Sequence, residues 1–381
     1  MAVTEEPLTF ERIGGWPAVL GRLLDGGSLS ADEAECIFGQ VLDGNATPAQ
    51  TAALLVGLRA KGESVEEMTG FVRSILAHAE PVEVGGDVVD VVGTGGDRLR
   101  SINVSTLAAC MVAGAGVPVC KHGNRAQSSS VGTADVLEAL GVAVDLGPAG
   151  VARCVAEAGM GFCYAPRYHP AWRFAGPVRR ELAIPTVFNF LGPLANPARA
   201  RYQLVGVSDP AMALRMASVL GSNGSRRAMV VYADDGLDEL SVTSPATILE
   251  MEGDGDGAFD VRTSRLDPAS LGFPPATMDD LRGGDASFNA AVIRRVLAGA
   301  PGPQRDIGLL NAAAALVVAG RATTLEEGVA LASAAVDDGS AARALERLAH
   351  VSTEAAAGEA AEAAAEAAAE AAAEAAAEAA E

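Results

Sequence analysis

The sequence predicts an α/β protein: a small N-terminal helical bundle followed by a larger domain with a mostly parallel central sheet covered by helices. Residues 9–83 hold four segments of helical apolar spacing with start and stop residues at their ends. From Asp87 onward, β-branched runs alternate with helix-length segments, and the first two runs end in glycine-rich or polar turns. Such alternation indicates parallel strands, because parallel neighbours need a long connection and a crossover helix supplies it. The expected division is 1–84 for the bundle, 85–350 for the α/β domain, and 351–381 for an Ala/Glu-rich tail, with residues near 168–185 packing back on the bundle.

The bundle segments are WPAVLGRLLDG, SADEAECIFGQVLDG, TPAQTAALLVGLRAKG and SVEEMTGFVRSILAHA. Ser30, Thr47 and Ser64 stand where a side-chain oxygen can accept from a helix's first free N–H groups, and Gly26, Gly44 and Gly62 stand where the chain leaves a helix. Strands are expected at 88–92, 117–120, 143–146, 161–164, 203–206 and 227–232. A helix is expected over 107–115, and another over 172–182 ahead of a strand-like TVFNF at 186–190. Residues 251–283 are rich in Gly, Pro and Asp and read as a peripheral excursion, whereas 278–351 read as alanine-rich helices across the other sheet face. In the tail, Glu362, Glu366, Glu370, Glu374 and Glu378 recur every four residues among alanines. Alanine and glutamate favour helix, but like charges at that spacing repel. A solvent-exposed helix or disordered segment with no apolar docking face is expected.

The chemistry concentrates between residues 90 and 140. Three glycines within four positions, Gly93, Gly95 and Gly96, follow the first strand and let backbone N–H groups approach an anion. Ser101, Asn103, Ser105 and Thr106 come next, at the start of a helix whose N-terminus would face the same ligand. The second strand delivers Lys121, His122, Asn124 and Arg125. Neither common nucleotide motif fits: a dinucleotide fingerprint needs glycine where Arg98 stands, and Gly-Lys-Ser/Thr occurs nowhere. Ligands of parallel sheets gather beyond the strands' carboxyl ends, and the loop DDGLDE after Tyr232 points to the same rim.

Net charge is −21, from 49 acids and 28 bases, which argues against nucleic acid and anionic membranes as partners. Arg98, Arg100, Lys121 and Arg125 form a positive island in this acidic background. Solvated surface charge is the plain alternative, and the glycine-rich neighbours favour an anion site. Five scattered cysteines without metal-type spacing suit small buried hydrophobes in a reducing cytosol. No export signal or membrane span is expected, and a cytoplasmic location is. His78, near a helix end, reads as a surface or dipole-pairing residue rather than a ligand, and no function is expected of His350.

Four motifs, GTGGD (Gly93 to Asp97), NVST (Asn103 to Thr106), KHGNR (Lys121 to Arg125) and the Asp238–Glu239 pair, resemble the anthranilate phosphoribosyltransferase family. RRELAIPTVFNFLGPLANPA at 179–198 and RDIGLLNAAAALV at 305–317 are also similar, so the likeness covers roughly residues 8–350. It implies transfer of the phosphoribosyl group of 5-phosphoribosyl 1-pyrophosphate to the amine of anthranilate, with Mg²⁺, in a homodimer. It assigns the donor to Gly93, Gly96, Asp97, Ser101, Asn103, Val104, Ser105, Thr106, Lys121, His122, Gly123, Asn124, Arg125, Ala126, Gln127, Ser128, Ser129 and Thr133. Mg²⁺ falls to Ser105, Asp238 and Glu239, and anthranilate to Gly93, Asn124 and Arg179, with His122 and Pro193 near its ring. No obligatory acid or base is implied. Among Arg173, Arg179 and Arg180, helical spacing turns at most one or two inward, and the resemblance selects Arg179.

The sequence departs from the family pattern at Ser101, where threonine is usual, and at Arg98, where glycine is frequent. A pyrimidine nucleoside phosphorylase shares the fold plan but carries a KHS-type signature in place of KHGNR. A non-enzymatic nucleic-acid-binding relative would lack reason to keep the acid pair.

Overall fold

The computed structural model describes residues 8–97, 99–125 and 131–378. The chain opens with a short α1 (Phe10–Ile13), then α2 (Gly15–Leu24), α3 (Ala31–Leu42), α4 (Pro48–Lys61) and α5 (Val65–Ala77). Ser30, Thr47 and Ser64 each form a reciprocal capping box, with Glu33, Gln50 and Glu67 respectively. Glu67 does more than cap: its carboxylate also accepts from Leu29 N–H at 3.0 Å and Lys61 Nζ at 2.9 Å, tying the α2–α3 turn to the start of α5. Phe38 of α3 packs on Phe71 of α5 with ring centroids 4.6 Å apart.

After the bundle come β1 (Val89–Gly93), α6 (Val104–Gly114), β2 (Val119–Gly123), α7 (Thr133–Ala139), α8 (Pro148–Ala158) and β3 (Met160–Tyr164). Short helices α9 (Ala165–Tyr168), α10 (Gly176–Leu182) and α11 (Phe188–Leu191) follow, then β4 (Tyr202–Gly206), α12 (Pro210–Ser222), β5 (Arg227–Ala233), β6 (Ala246–Gly253) and β7 (Phe259–Leu266). Helices α13 (Ala286–Leu297), α14 (Pro303–Val318), α15 (Leu325–Asp337) and α16 (Ser340–Glu378) complete the chain. The sheet order is β3-β2-β1-β4-β5-β6-β7, parallel from β3 to β5 and antiparallel beyond. From β1 the chain winds first to one side and then, through β4, to the other. The order therefore reverses between β1 and β4, and a ligand crevice forms at such a reversal. Gly93 and Gly206 face each other across it.

Two apolar cores flank the sheet. One joins α6, α14 and α16 to one face; the other joins the bundle, α12 and residues 187–195 to the opposite face. Ala175 is fully buried in the bundle's core, and Phe188 lies 5.3 Å from Phe38.

Four expectations need correction. Residues 143–146 are not a strand: Val144 and Leu146 are buried, but the backbone bonds to side chains, Ala143 N–H to Ser352 Oγ at 3.0 Å and Leu146 O to Tyr168 Oη at 2.8 Å, so no edge is offered to the sheet. The TVFNF segment is helical, because Asn189 Oδ1 accepts from Thr186 N–H at 3.0 Å and turns the chain into α11. Much of 251–283 is not peripheral: β6 and β7 extend the sheet as an antiparallel hairpin, and β7's largely exposed, polar face hid its strand character. The tail does not begin at 351. Helix α16 runs through it, Val351, Ser352 and Ala355 are buried, and Glu359 accepts with both oxygens from Gly147 N–H at 3.0 Å. Beyond Glu359, the side chains described are exposed.

Candidate active site

At the carboxyl end of β1 and β4 the backbone lies unusually close to the loop that carries Asp238 and Glu239. A Cβ on Gly206 would stand 1.6 Å from the Asp238 carbonyl oxygen, and one on Gly93 would stand 2.5 Å from Asp238 Oδ2. Only glycine fits either position, and this close approach buries both acids at the cleft floor. Asp238 Oδ2 accepts from Gly95 N–H at 2.7 Å, which pulls the glycine loop down onto the pair. From the other side, Asn311 of α14 holds the next residue, accepting from Leu240 N–H at 3.0 Å and donating to its carbonyl at 2.8 Å. Gly206 and Asn311 were not singled out from the sequence; the requirement for each is visible only in three dimensions.

Burial pushes the Asp238 carboxyl up to about 7, with the negative charge of Asp97 adding to the effect. Glu239 is raised for the same first reason and by Asp238 beside it, against the pull of Lys121. Lys121 is buried at the end of β2, donating to Val91 O and to Ser105 Oγ at 3.1 Å. Burial lowers its ammonium, and the charges of Asp90 and Glu239 oppose that fall. Asp90, fully buried, receives His122 N–H at 3.2 Å and Asn196 Nδ2 at 2.8 Å. His122 donates from Nδ1 to Gly192 O at 3.1 Å, and burial pulls its imidazole down to about 4, so the ring is neutral. The KHG of KHGNR thus forms the last three residues of strand β2 rather than a loop after it. Its polar residues are tolerated in a buried strand because each finds a partner from β1, α6 or the 192–196 segment.

The opposite wall comes from 165–193. Arg179 of α10 faces the cleft with its guanidinium 4.8 Å above the Phe188 ring, and it has no carboxylate partner among the described residues. Burial lowers it. Arg173 and Arg180 are exposed. Trp172, stacked on His169 at 4.6 Å, adds an aromatic wall, and its ring was not singled out from the sequence.

The cleft between these walls, about 290 Å³, brings together Gly93, Gly96, Asp97, Ser101, Asn103, Val104, Ser105, Lys121, His122, Gly123, Asn124, Arg125, Thr133, Arg179, Pro193, Asp238 and Glu239. Thr106 does not join them; it is fully buried beneath the first turn of α6. Ala126, Gln127, Ser128 and Ser129 lie outside the described residues, as does Arg98. Two residues on, Arg100 is in the left-handed region, φ 55°, and Gly283 N–H bonds Arg100 O at 2.8 Å. Arg125 is not a free cation: it bridges Glu138 at 2.6 Å and Asp135 at 3.0 Å on α7, which raises its pKa, and it stacks over Tyr164.

A helical bundle set against a parallel sheet with a phosphate-type loop at its reversal point places the chain in a class of sugar-transfer enzymes, and the comparisons agree. Residues 85–342 match the "Glycosyl transferase family, a/b domain", and 17–79 match the "Glycosyl transferase family, helical bundle domain". The chain is 53% identical over 344 residues to an anthranilate phosphoribosyltransferase of Thermomicrobium roseum, covering 90% of this chain and 98% of that protein. It is 50% identical to that of Rhodococcus jostii, over 89% of this chain and 93% of the relative. The crystal structure of anthranilate phosphoribosyltransferase from Thermus thermophilus superposes with a TM-score of 0.82 at 39% identity, covering 88% of this chain and 99% of that one. The Saccharomyces cerevisiae enzyme in complex with PRPP and Mg shares the fold, with a TM-score of 0.80 at 24% identity, over 89% of this chain and 98% of that one. This chain belongs to the anthranilate phosphoribosyltransferase family.

Proposed function

We propose that this protein transfers the 5-phosphoribosyl group from 5-phosphoribosyl 1-pyrophosphate to the amine of anthranilate, a step of tryptophan biosynthesis. The carrying observation is the cleft's division: an arginine with no acid partner among the described residues on one wall, and on the other a buried acid pair beside the first turn of α6, which has no side-chain cap. The amine nitrogen forms a bond to the ribose C1 as the bond from C1 to the pyrophosphate oxygen breaks, and the nitrogen then gives up a proton.

Each wall has a part. Arg179 offers a guanidinium fork to anthranilate's carboxylate, while Phe188 beneath it and Pro193 beside it exclude water. Asn124 and neutral His122 line the path between the walls. The glycine loop, Ser101, Asn103 and the first N–H groups of α6 take the donor's phosphates. Lys121 acts from below, fixing Ser105 and balancing Glu239. Thr133 and the exposed head of Arg125 stand at the mouth.

Ser105, Asp238 and Glu239 fit Mg²⁺: all offer hard oxygens, and both acids are raised by burial and then by neighbouring carboxylates, Asp97 acting on Asp238 and Asp238 with Asp97 on Glu239, which a cation relieves. Among the described residues no three His, Cys, Asp or Glu side chains make a self-sufficient metal cage, in keeping with an ion shared with substrate phosphates. When bound, Mg²⁺ supplies charge neutralisation of the leaving pyrophosphate. No strong base is required; positioning and preorganised dipoles carry the rate.

Among the described residues no helix is long and apolar enough to cross a membrane. We place the enzyme in the cytoplasm with its pathway, and as a homodimer joined through the bundle, where Leu24 is 82% exposed and Val56 41%. Sedimentation at micromolar concentration tests the dimer. The activity is tested by mixing the protein with 5-phosphoribosyl 1-pyrophosphate, Mg²⁺ and anthranilate and following loss of anthranilate fluorescence. Phosphate-dependent cleavage of uridine, with anthranilate untouched, would assign the chain to the phosphorylases.

A further inference from the structure

Asn103 occupies the N-cap of α6, a position where asparagine ordinarily folds its side-chain oxygen back onto the free N–H groups of the first turn. Here it makes no such bond. The reason lies 186 residues away, in α13. Asn289 is 1% exposed, and its Oδ1 accepts from Gly284 N–H at 2.8 Å. A backbone N–H can only donate, so that contact fixes which way the Asn289 amide faces and leaves Nδ2 towards Asn103. Asn289 Nδ2 donates to Asn103 Oδ1 at 2.9 Å. The Asn103 oxygen is thereby occupied, and its Nδ2 turns towards Val131 O, 3.5 Å away, at the cleft wall.

We propose that Asn289 is a positioning residue for the phosphoribosyl donor: by holding the Asn103 oxygen it keeps that oxygen off the first turn of α6, where Ser105 N–H already bonds Glu239, and leaves the Asn103 amide N–H facing the cleft for the donor's phosphates. The same segment clamps the loop before α6, because Ile102 N–H bonds Leu281 O at 3.0 Å and Ser101 bridges to Arg282. Asn289 does not touch substrate; it acts through Asn103. Removing it frees the Asn103 oxygen to rotate onto the N–H groups of the first turn, which adds a cap to the helix and closes an anion site at once.

The proposal rests on α6 and Asn103 forming part of the donor site, and a double-mutant cycle separates the two ideas. Binding of 5-phosphoribosyl 1-pyrophosphate with Mg²⁺ is measured by calorimetry, and KM for each substrate by steady-state kinetics, in Asn289→Ala, Asn103→Ala and the double variant, with melting temperatures as a folding control. The expected result is a rise of about tenfold in the donor's Kd and KM in Asn289→Ala, the size of one lost charge-assisted hydrogen bond, with the anthranilate KM unchanged. Asn103→Ala weakens the donor too, and adding Asn289→Ala to it then has little further effect, since no side chain is left to self-cap. Equal effects of Asn289→Ala in both backgrounds would overturn the proposal and leave Asn289 a packing residue. An unchanged donor affinity in Asn289→Ala beside a weakened one in Asn103→Ala overturns it while leaving the donor site in place. Unchanged affinity in both removes the donor site from this helix and the proposal with it.

Discussion

Arg179 and the Asp238–Glu239 pair are held by different parts of the chain and should fail independently. Arg179→Ala removes a half-buried guanidinium that rests on Phe188 and, among the described residues, leaves no acid partner orphaned. Loss of one charge-assisted hydrogen bond costs about 1.5–3 kcal/mol, roughly 10- to 150-fold. That loss should appear in the anthranilate KM with the donor KM little changed. Asp238→Asn with Glu239→Gln should do the reverse, weakening Mg²⁺-dependent donor binding. Steady-state kinetics with each substrate varied in turn separates the two, and equal impairment in both variants would contradict the two-walled cleft. His122 makes a second prediction, about stability. Its imidazole is held near 4 in the folded protein against about 6.5 unfolded, so between those values the unfolded chain binds the extra proton. The stability this group contributes is therefore present above pH 6.5 and lost as pH falls towards 4. Urea unfolding at pH 7.5 and pH 5.0 should show wild type losing on the order of 2 kcal/mol more than His122→Gln. Asp90 titrates with the opposite sign, and the comparison with the variant cancels it.

At the scale of elements, the C-terminal helix decides what can be removed. The first turns of α16 past Val351 are docked: Ala355 is buried, Arg153 Nη2 meets Glu354 at 2.8 Å, and Glu359 closes the N-terminus of α8, whose N-cap Gly147 has no side chain to do so. A chain ending at Ala360 should match the full chain in melting temperature and activity. One ending at Thr353 should be less stable by about 1–2 kcal/mol, the usual worth of a lost helix cap, measured by thermal melts. The difference was not legible from the Ala/Glu composition, because Ala355 and Glu359 look like every other residue of the repeat until α8 is placed beside them. Strands 88–92, 161–164, 203–206 and 227–232 were legible to within a residue or two, since β-branched runs between turn residues leave few alternatives. Strand β2 runs on to Gly123 because a buried Lys121 and His122 read as polar loop chemistry until their partners are known. Motifs made of neighbours in sequence, GTGGD and KHGNR, announced the cleft; the groups that shape it from afar, Gly206, Asn289 and Asn311, carry no local signal.

On the proposed division of the cleft, the two substrates rest largely on two different cores. Val104, Leu107, Leu237 and Leu240, which carry the donor wall, belong to the core shared with α14 and α16. Phe188, the platform under Arg179, belongs instead to the core of the helical bundle, touching Phe38, which in turn packs on Phe71. The bundle is thus the support of the wall that carries Arg179. Phe38→Leu, far from the chemistry, should let Phe188 settle into the vacated space and draw Arg179 with it. The expected cost is about 1–3 kcal/mol of stability from imperfect repacking, read as a lower melting temperature. The kinetic signature is the sharper test: a several-fold rise in the anthranilate KM at little-changed donor KM, because Val104, Leu107, Leu237 and Leu240 lie in the other core. A matching Leu240→Ala change, in the other core, should disturb the donor KM and spare anthranilate. If Phe38→Leu lowers the melting temperature and leaves the anthranilate KM untouched, Phe188 is held by its own segment, and the bundle does not support the acceptor wall.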